Sequence, residues 1–258
     1  MSWIIWCALA TGYLDDEPPV SMLLLGSPGS GKSTLMSRWS EDASLLTYSD
    51  FTSDSLRHSI LPKMAQENRR HLFLPEFFKL FQRAQSSVAN LTGVLSAAMS
   101  GELHQVMQGE REMEKLPIGF RIGVVGAMTD KVYREWARDL ANTGMLDRFF
   151  VMSLEVSREL REQMLYSAAM SDRSMLSKLY LPIHDKRHVR LGDAEAQYFY
   201  DCVRSTKAGD RIRFMEQMKA MLKGLTLAHG ETVVTTRRVD QMHQMMLYIL
   251  NAKPMEVK

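Results

Sequence analysis

The sequence predicts an α/β fold: a parallel β-sheet covered by helices on both faces, followed by a small helical domain. Three observations predict it. Short apolar runs bounded by turn residues alternate with helix-spaced segments up to about residue 156, the pattern of a parallel sheet with crossover helices. One run, Val20–Leu25, opens directly into a glycine-rich turn. After about Ser157 the apolar spacing becomes mostly helical. The implied division is a helix and linker over 1–19, an α/β core over 20–156 and a helical domain over 157–258.

Met1 to Thr11 is apolar, with Trp3 and Trp6. It is short for a membrane span and lacks the basic start and small-residue cleavage site of a signal peptide. It reads as a helix packed on the core, and no membrane partner is expected. Because this helix begins almost at the first residue, the chain reads as a fragment or as a short member of a longer family. Asp15–Pro19 breaks the chain before the strand Val20–Leu25, and a helix is expected from Lys32 to Trp39. Leu45–Tyr48 and Leu72–Leu74 read as strands, and Phe77–Gln85 has helical spacing. Arg121–Ala127 is the clearest further strand, Tyr133–Ala141 a helix carrying Trp136, and Phe149–Leu154 a last strand. Ala194–Val203, Ile212–Leu227 and Arg238–Leu250 carry apolar residues at helix spacing, with a turn and strand-like piece at Gly230–Thr235.

The composition, 45% hydrophobic and 24% charged over 258 residues, is that of a globular protein. A net charge of +2 does not by itself argue for nucleic acid. The two cysteines, Cys7 and Cys202, form no C-x-x-C and so give no zinc-ribbon or redox signature. His184 and His188 lack the cysteines a structural zinc site would add. The 20 methionines read as adaptable core filler. The basic clusters Arg69-Arg70-His71 and Lys186–Arg190 read as solvated faces.

Gly26-Ser27-Pro28-Gly29-Ser30-Gly31-Lys32-Ser33-Thr34 fits G-x-x-x-x-G-K-[ST] in full, after a strand and before a helix. Its glycines let the backbone turn its N–H groups inward as an anion nest. The helix N-terminus adds a favourable dipole. In such a P-loop Lys32 reaches the β and γ phosphates and the Ser33 hydroxyl is the magnesium ligand. ATP and Mg2+ are therefore the expected ligands, and a cytoplasmic setting follows from that chemistry.

His71-Leu-Phe-Leu-Pro75-Glu76 has the shape of a Walker B strand, with Glu76 as the carboxylate that orients and activates water. The preceding acid, which normally holds magnesium's water shell, is replaced by Pro75, which has neither ligand nor N–H. Weak hydrolysis is one consequence; compensation by Asp50 is another. Thr129 ends the RIGVVGAM strand, where a polar side chain sits beside the γ phosphate; the plainer alternative is an ordinary strand-end threonine. Arg148, in Gly144-Met-Leu-Asp-Arg-Phe149, is placed to reach a neighbouring subunit's phosphate, or else to pair with Asp147 or Asp139.

Together these parts resemble the AAA+ ATPases. The resemblance implies sensor 1 at Thr129, a trans-acting arginine finger at Arg148, and a lid in the helical tail with sensor 2 at Arg211 or Arg213. Within that family, Glu76-Phe-Phe-Lys79, the long insertion before the sensor strand and Leu146-Asp-Arg148-Phe149 look most like the minichromosome-maintenance helicases and related phage or mobile-element ATPases. There the insertion holds a helix and a pore hairpin, here Leu103–Met107 and Ile118–Phe120 around Gln108–Arg111. Arg111 and Lys115 are the candidate DNA contacts, although Glu110, Glu112 and Glu114 offset their charge. The implied activity is ATP hydrolysis in a ring, a hexamer in the ATP state, acting on DNA as a helicase, translocase or helicase loader. Two alternatives stand beside it: a nucleotide-dependent assembly module with weak hydrolysis, and a remodeller of proteins.

Overall fold

The computed structural model describes residues 2–103, 116–154, 162, 178–183, 185–206 and 212–251. Five strands, β1 (Ser21–Gly26), β2 (Leu45–Thr47), β3 (His71–Leu74), β4 (Gly123–Thr129) and β5 (Phe149–Ser153), form one sheet. All pairs are parallel and the order is β2-β3-β4-β1-β5. The α/β class expected from the sequence is what the chain adopts. Parallel strands need long crossovers, and those crossovers bury both faces.

The strand period of two sorts the apolar residues cleanly. Leu23, Leu25, Leu72, Leu74 and Val124 face one core, together with residues of the helices between β2 and β4. Met22, Leu24, Phe73, Val125, Phe150 and Met152 face a second core, shared with the N-terminal helix and the C-terminal helices. β1 is buried at every residue, as a central strand must be.

The first core is covered by α3 (Ser53–Ser55), a π-helical turn (Leu56–Ile60) and α4 (Leu61–Gln66), by α5 (Gln85–Ser100), and by α6 (Asp130–Asn142). Thr52 opens α3 with a capping box, exchanging hydrogen bonds with Ser55. In α6 the buried stripe is Tyr133, Ala137 and Leu140, spaced four and three apart. The helix expected over Phe77–Gln85 does not form as one element. Phe77–Phe81 is a 3₁₀ turn, the chain extends at Ala84, and the long helix starts only at Gln85. Phe77, Leu80 and Phe81 still bury their rings and side chains, so the apolar spacing is satisfied by the tighter turn.

The second core is covered by α1 (Ser2–Ala10), α2 (Lys32–Ser37), α7 (Asp193–Arg204), α8 (Ile212–Ala228) and α9 (Thr236–Asn251). α1 lies directly against α8 as well as on the sheet side. A Cβ on Gly224 would come within 2.6 Å of the Cys7 carbonyl oxygen, so only glycine permits this approach. The contact is locked by charge. Lys223 Nζ meets Asp16 at 2.6 Å and Glu17 at 2.8 Å, and Lys219 meets Glu17 at 3.0 Å.

The expected strand at Ile118–Phe120 is instead a turn. Gly119 has φ +71°, and the Phe120 N–H donates to the Pro117 carbonyl. The strand that follows begins at Gly123, two residues later than the sequence reading placed it.

Candidate functional site

Gly26 closes β1 opposite Thr129 of β4, and the chain then turns through Ser27–Gly31 into α2. Gly29 and Gly31 adopt φ of +75° and +80°, a region that costs other residues about 1–2 kcal/mol. Gly26 is constrained differently: a Cβ there would sit 2.7 Å from Ser30 Oγ and 2.9 Å from the Leu154 carbonyl. Lys32 folds back into the loop. Its ammonium donates to the carbonyls of Gly26 (2.6 Å) and Ser27 (2.8 Å) and to Ser30 Oγ (3.1 Å). Three oxygens thus occupy the three donors of a residue only 9% exposed. Burial lowers the Lys32 pKa, and the nearby Asp130 charge acts in the opposite direction. Ser27, Pro28 and Gly29 are exposed, as are Ser33 and Thr34 on the first turn of α2. α2 ends at Ser37 rather than at Trp39, with a tighter turn carrying Trp39 into the core.

Parallel topology brings three strand ends to this one edge. β4 lies between β1 and β3, with Leu74 opposite Gly126 and Gly26 opposite Thr129. Glu76, just beyond β3, is therefore two strand spacings from β1, roughly 10 Å. Its carboxylate is half-exposed and ion-paired with Lys79. Thr129 caps α6: its Oγ1 accepts the Val132 N–H at 3.4 Å. The hydroxyl proton is not used by that bond. Asp130 follows at once. Its Oδ1 is buried without a hydrogen-bond partner, and its charge acts on Lys32. Its adjacency to Thr129 was the signal that could have found it.

Arg148 lies at the opposite edge. It precedes Phe149, which pairs with Ser21 at the start of β1, and five residue steps along a strand are about 16 Å. Arg148 donates to Ser100 Oγ at 3.1 Å and to the Gly144 carbonyl at 2.8 Å. No ion pair with Asp139 or Asp147 holds it within bonding distance among the described residues; burial first, then the Arg213 charge, lowers its pKa, while Glu102 and Asp147 act against that. Arg213, at the start of α8, lines the same cleft with Arg121, Glu102 and Glu216. It is beside Arg148, not beside Lys32. Arg211, Arg111 and Lys115 lie outside the described residues, as does most of the hairpin expected around them.

Asp50 accepts from Arg83 Nη2 at 2.7 Å beyond the edge strand β2, three strands from the loop, so it is not a substitute acid. His71 is not on a solvated face but fully buried at the start of β3, its Nε2 against the Val20 carbonyl at 3.2 Å. Gly123 and Gly12 leave the space its ring fills. Among the described residues there is no group of three or more His, Cys, Asp or Glu poised for a metal. A magnesium site would here rest on Ser33, one carboxylate and the ligand's own oxygens, which is how magnesium is commonly held. No helix among the described residues is long and apolar enough to cross a membrane.

No protein-family model matches the chain, and a search of curated proteins finds no match.

Proposed function

We propose that the chain binds ATP with magnesium at Gly26–Thr34 and hydrolyses it as one subunit of a ring-forming AAA+ ATPase that acts on DNA. The observation carrying this reading is the Lys32 ammonium gathered onto loop oxygens in a turn built on Gly29 and Gly31. A γ phosphate offers that ammonium better acceptors than the carbonyls it now holds. Lys32 and the loop N–H groups bind the phosphates, and Ser33 faces the metal. Magnesium, when bound, neutralises charge on the phosphate oxygens. Glu76 orients the attacking water, and Thr129 offers a hydroxyl at the same edge.

Arg148 supports the subunit-interface part. It sits about 16 Å from its own loop along β1, so it serves a neighbour's phosphate and not its own. Arg213 and Arg121 line the same cleft, with Glu102 and Glu216 offsetting part of their charge. The nucleic-acid part is supported by the family resemblance alone.

One observation favours the second reading, an assembly module with slow turnover. Pro75 removes one acid, and Lys79 engages the other. ATP turnover with and without single-stranded DNA separates the two. The motor reading expects stimulation by DNA, lost in Glu76→Gln and Arg148→Ala, with Glu76→Gln still binding ATP. If wild type binds ATP but turns over no faster than Glu76→Gln, the assembly reading replaces it.

A further inference from the structure

We infer that Asp130 is the acid on the metal side of the nucleotide site, taking the part that Pro75 cannot play. The inference rests on the nucleotide-site reading above and adds a residue to it. Three observations meet at this carboxylate. The register places it one residue beyond Thr129, which faces Gly26, the first residue of the loop. Its Oδ1 is sealed from water yet has no partner. It is the acid that acts on the Lys32 ammonium.

A simpler account is that Asp130 only favours the N-terminus of α6. That explains an acid in the first turn, but not an oxygen buried without a donor. Such burial is costly unless something completes it. A hydrated divalent cation beside the phosphates would complete it once nucleotide binding opens that oxygen to the site. The other acids near this edge are engaged: Glu76 with Lys79, and Asp50 with Arg83. Between β1 and β3 lies only β4, so an acid at the end of β4 is nearer the loop than any side chain at the position of Pro75. Moving the acid by one strand keeps it on the same edge and shortens its reach to Ser33.

The test is binding of a fluorescent ATP analogue with EDTA and then with Mg2+, on wild type and Asp130→Asn. Without metal, Asp130→Asn binds as well as wild type or tighter, because a negative charge near the phosphates is gone. With metal, wild type gains affinity and Asp130→Asn forfeits about 10–100-fold of metal affinity. A gain equal to that of wild type overturns the assignment and leaves the nucleotide site standing. Absence of binding by wild type in either condition, with Lys32→Ala no different, overturns the nucleotide site and this inference with it. A second measurement needs no variant. Fe2+ in place of Mg2+, with peroxide and ascorbate, cuts the backbone beside the metal. Nucleotide-dependent cleavage at residues 129–131 is expected; cleavage near Ser33 with none near Asp130 overturns the assignment.

Discussion

Glu76 and Lys79 form an ion pair at the end of β3, three residues apart across one 3₁₀ turn. Their side chains are 45% and 40% exposed, so the pair is a surface one and weak. It nonetheless engages the carboxylate to which water activation is assigned. An exposed pair contributes about 0.2–1 kcal/mol. Lys79→Ala should therefore raise ATP turnover by roughly 1.4- to fivefold by freeing Glu76, with little change in melting temperature. A fall in turnover would show that Lys79 assists the reaction.

His71 sets a pH dependence of stability. Burial drives its pKa from an ordinary 6.5 down to about 4. Between those values the unfolded imidazole takes a proton that the folded one refuses. Stability from this group is therefore complete above pH 6.5, falls as the pH drops, and levels off below about 4. The full loss is about 3 kcal/mol. Urea denaturation from pH 7.5 to 4 should show that slope in wild type and a shallower one in His71→Gln. Equal slopes would assign the acid sensitivity to other groups.

The Lys223–Glu17 ion pair is buried, unlike the one at Glu76. Lys223 and Glu17 side chains are 7% and 5% exposed. Lys223→Met should lower stability by roughly 3 kcal/mol, the low end for breaking a buried pair, because Lys219 still reaches Glu17. Lys219→Met, at a side chain 42% exposed, should cost much less. Equal losses in chemical denaturation would contradict this ranking.

Much of the sheet was legible in the sequence because its signals are local. Val20–Leu25 and Phe149–Leu154 show themselves as apolar runs with turns at their ends, and the loop motif is nine consecutive residues. The three C-terminal helices were within two residues of their observed ends. The helical stretch over 53–66 was missed because a π turn shifts its apolar phase and Pro62 reads as a breaker, although it sits in the first turn of α4. His71 was misread because its burial depends on Gly12 and Gly123, both far away in sequence. Adjacency to Thr129 points to Asp130 in the sequence, but that one of its oxygens is sealed from water depends on packing that no local pattern shows. Asp16 and Lys223 are joined across 207 positions, beyond any local pattern.

The lock between α8 and Asp16–Glu17 has a mechanical meaning. Its two lysines and two carboxylates fasten α8 to the residues just ahead of Pro18 and Pro19, and those prolines lead straight into β1. Two fixed φ angles make that junction stiff. The first helix is therefore tied to α8 through that lock, and Pro18-Pro19 forms a stiff link from it to β1, whose far end opens into the Gly26–Gly31 turn.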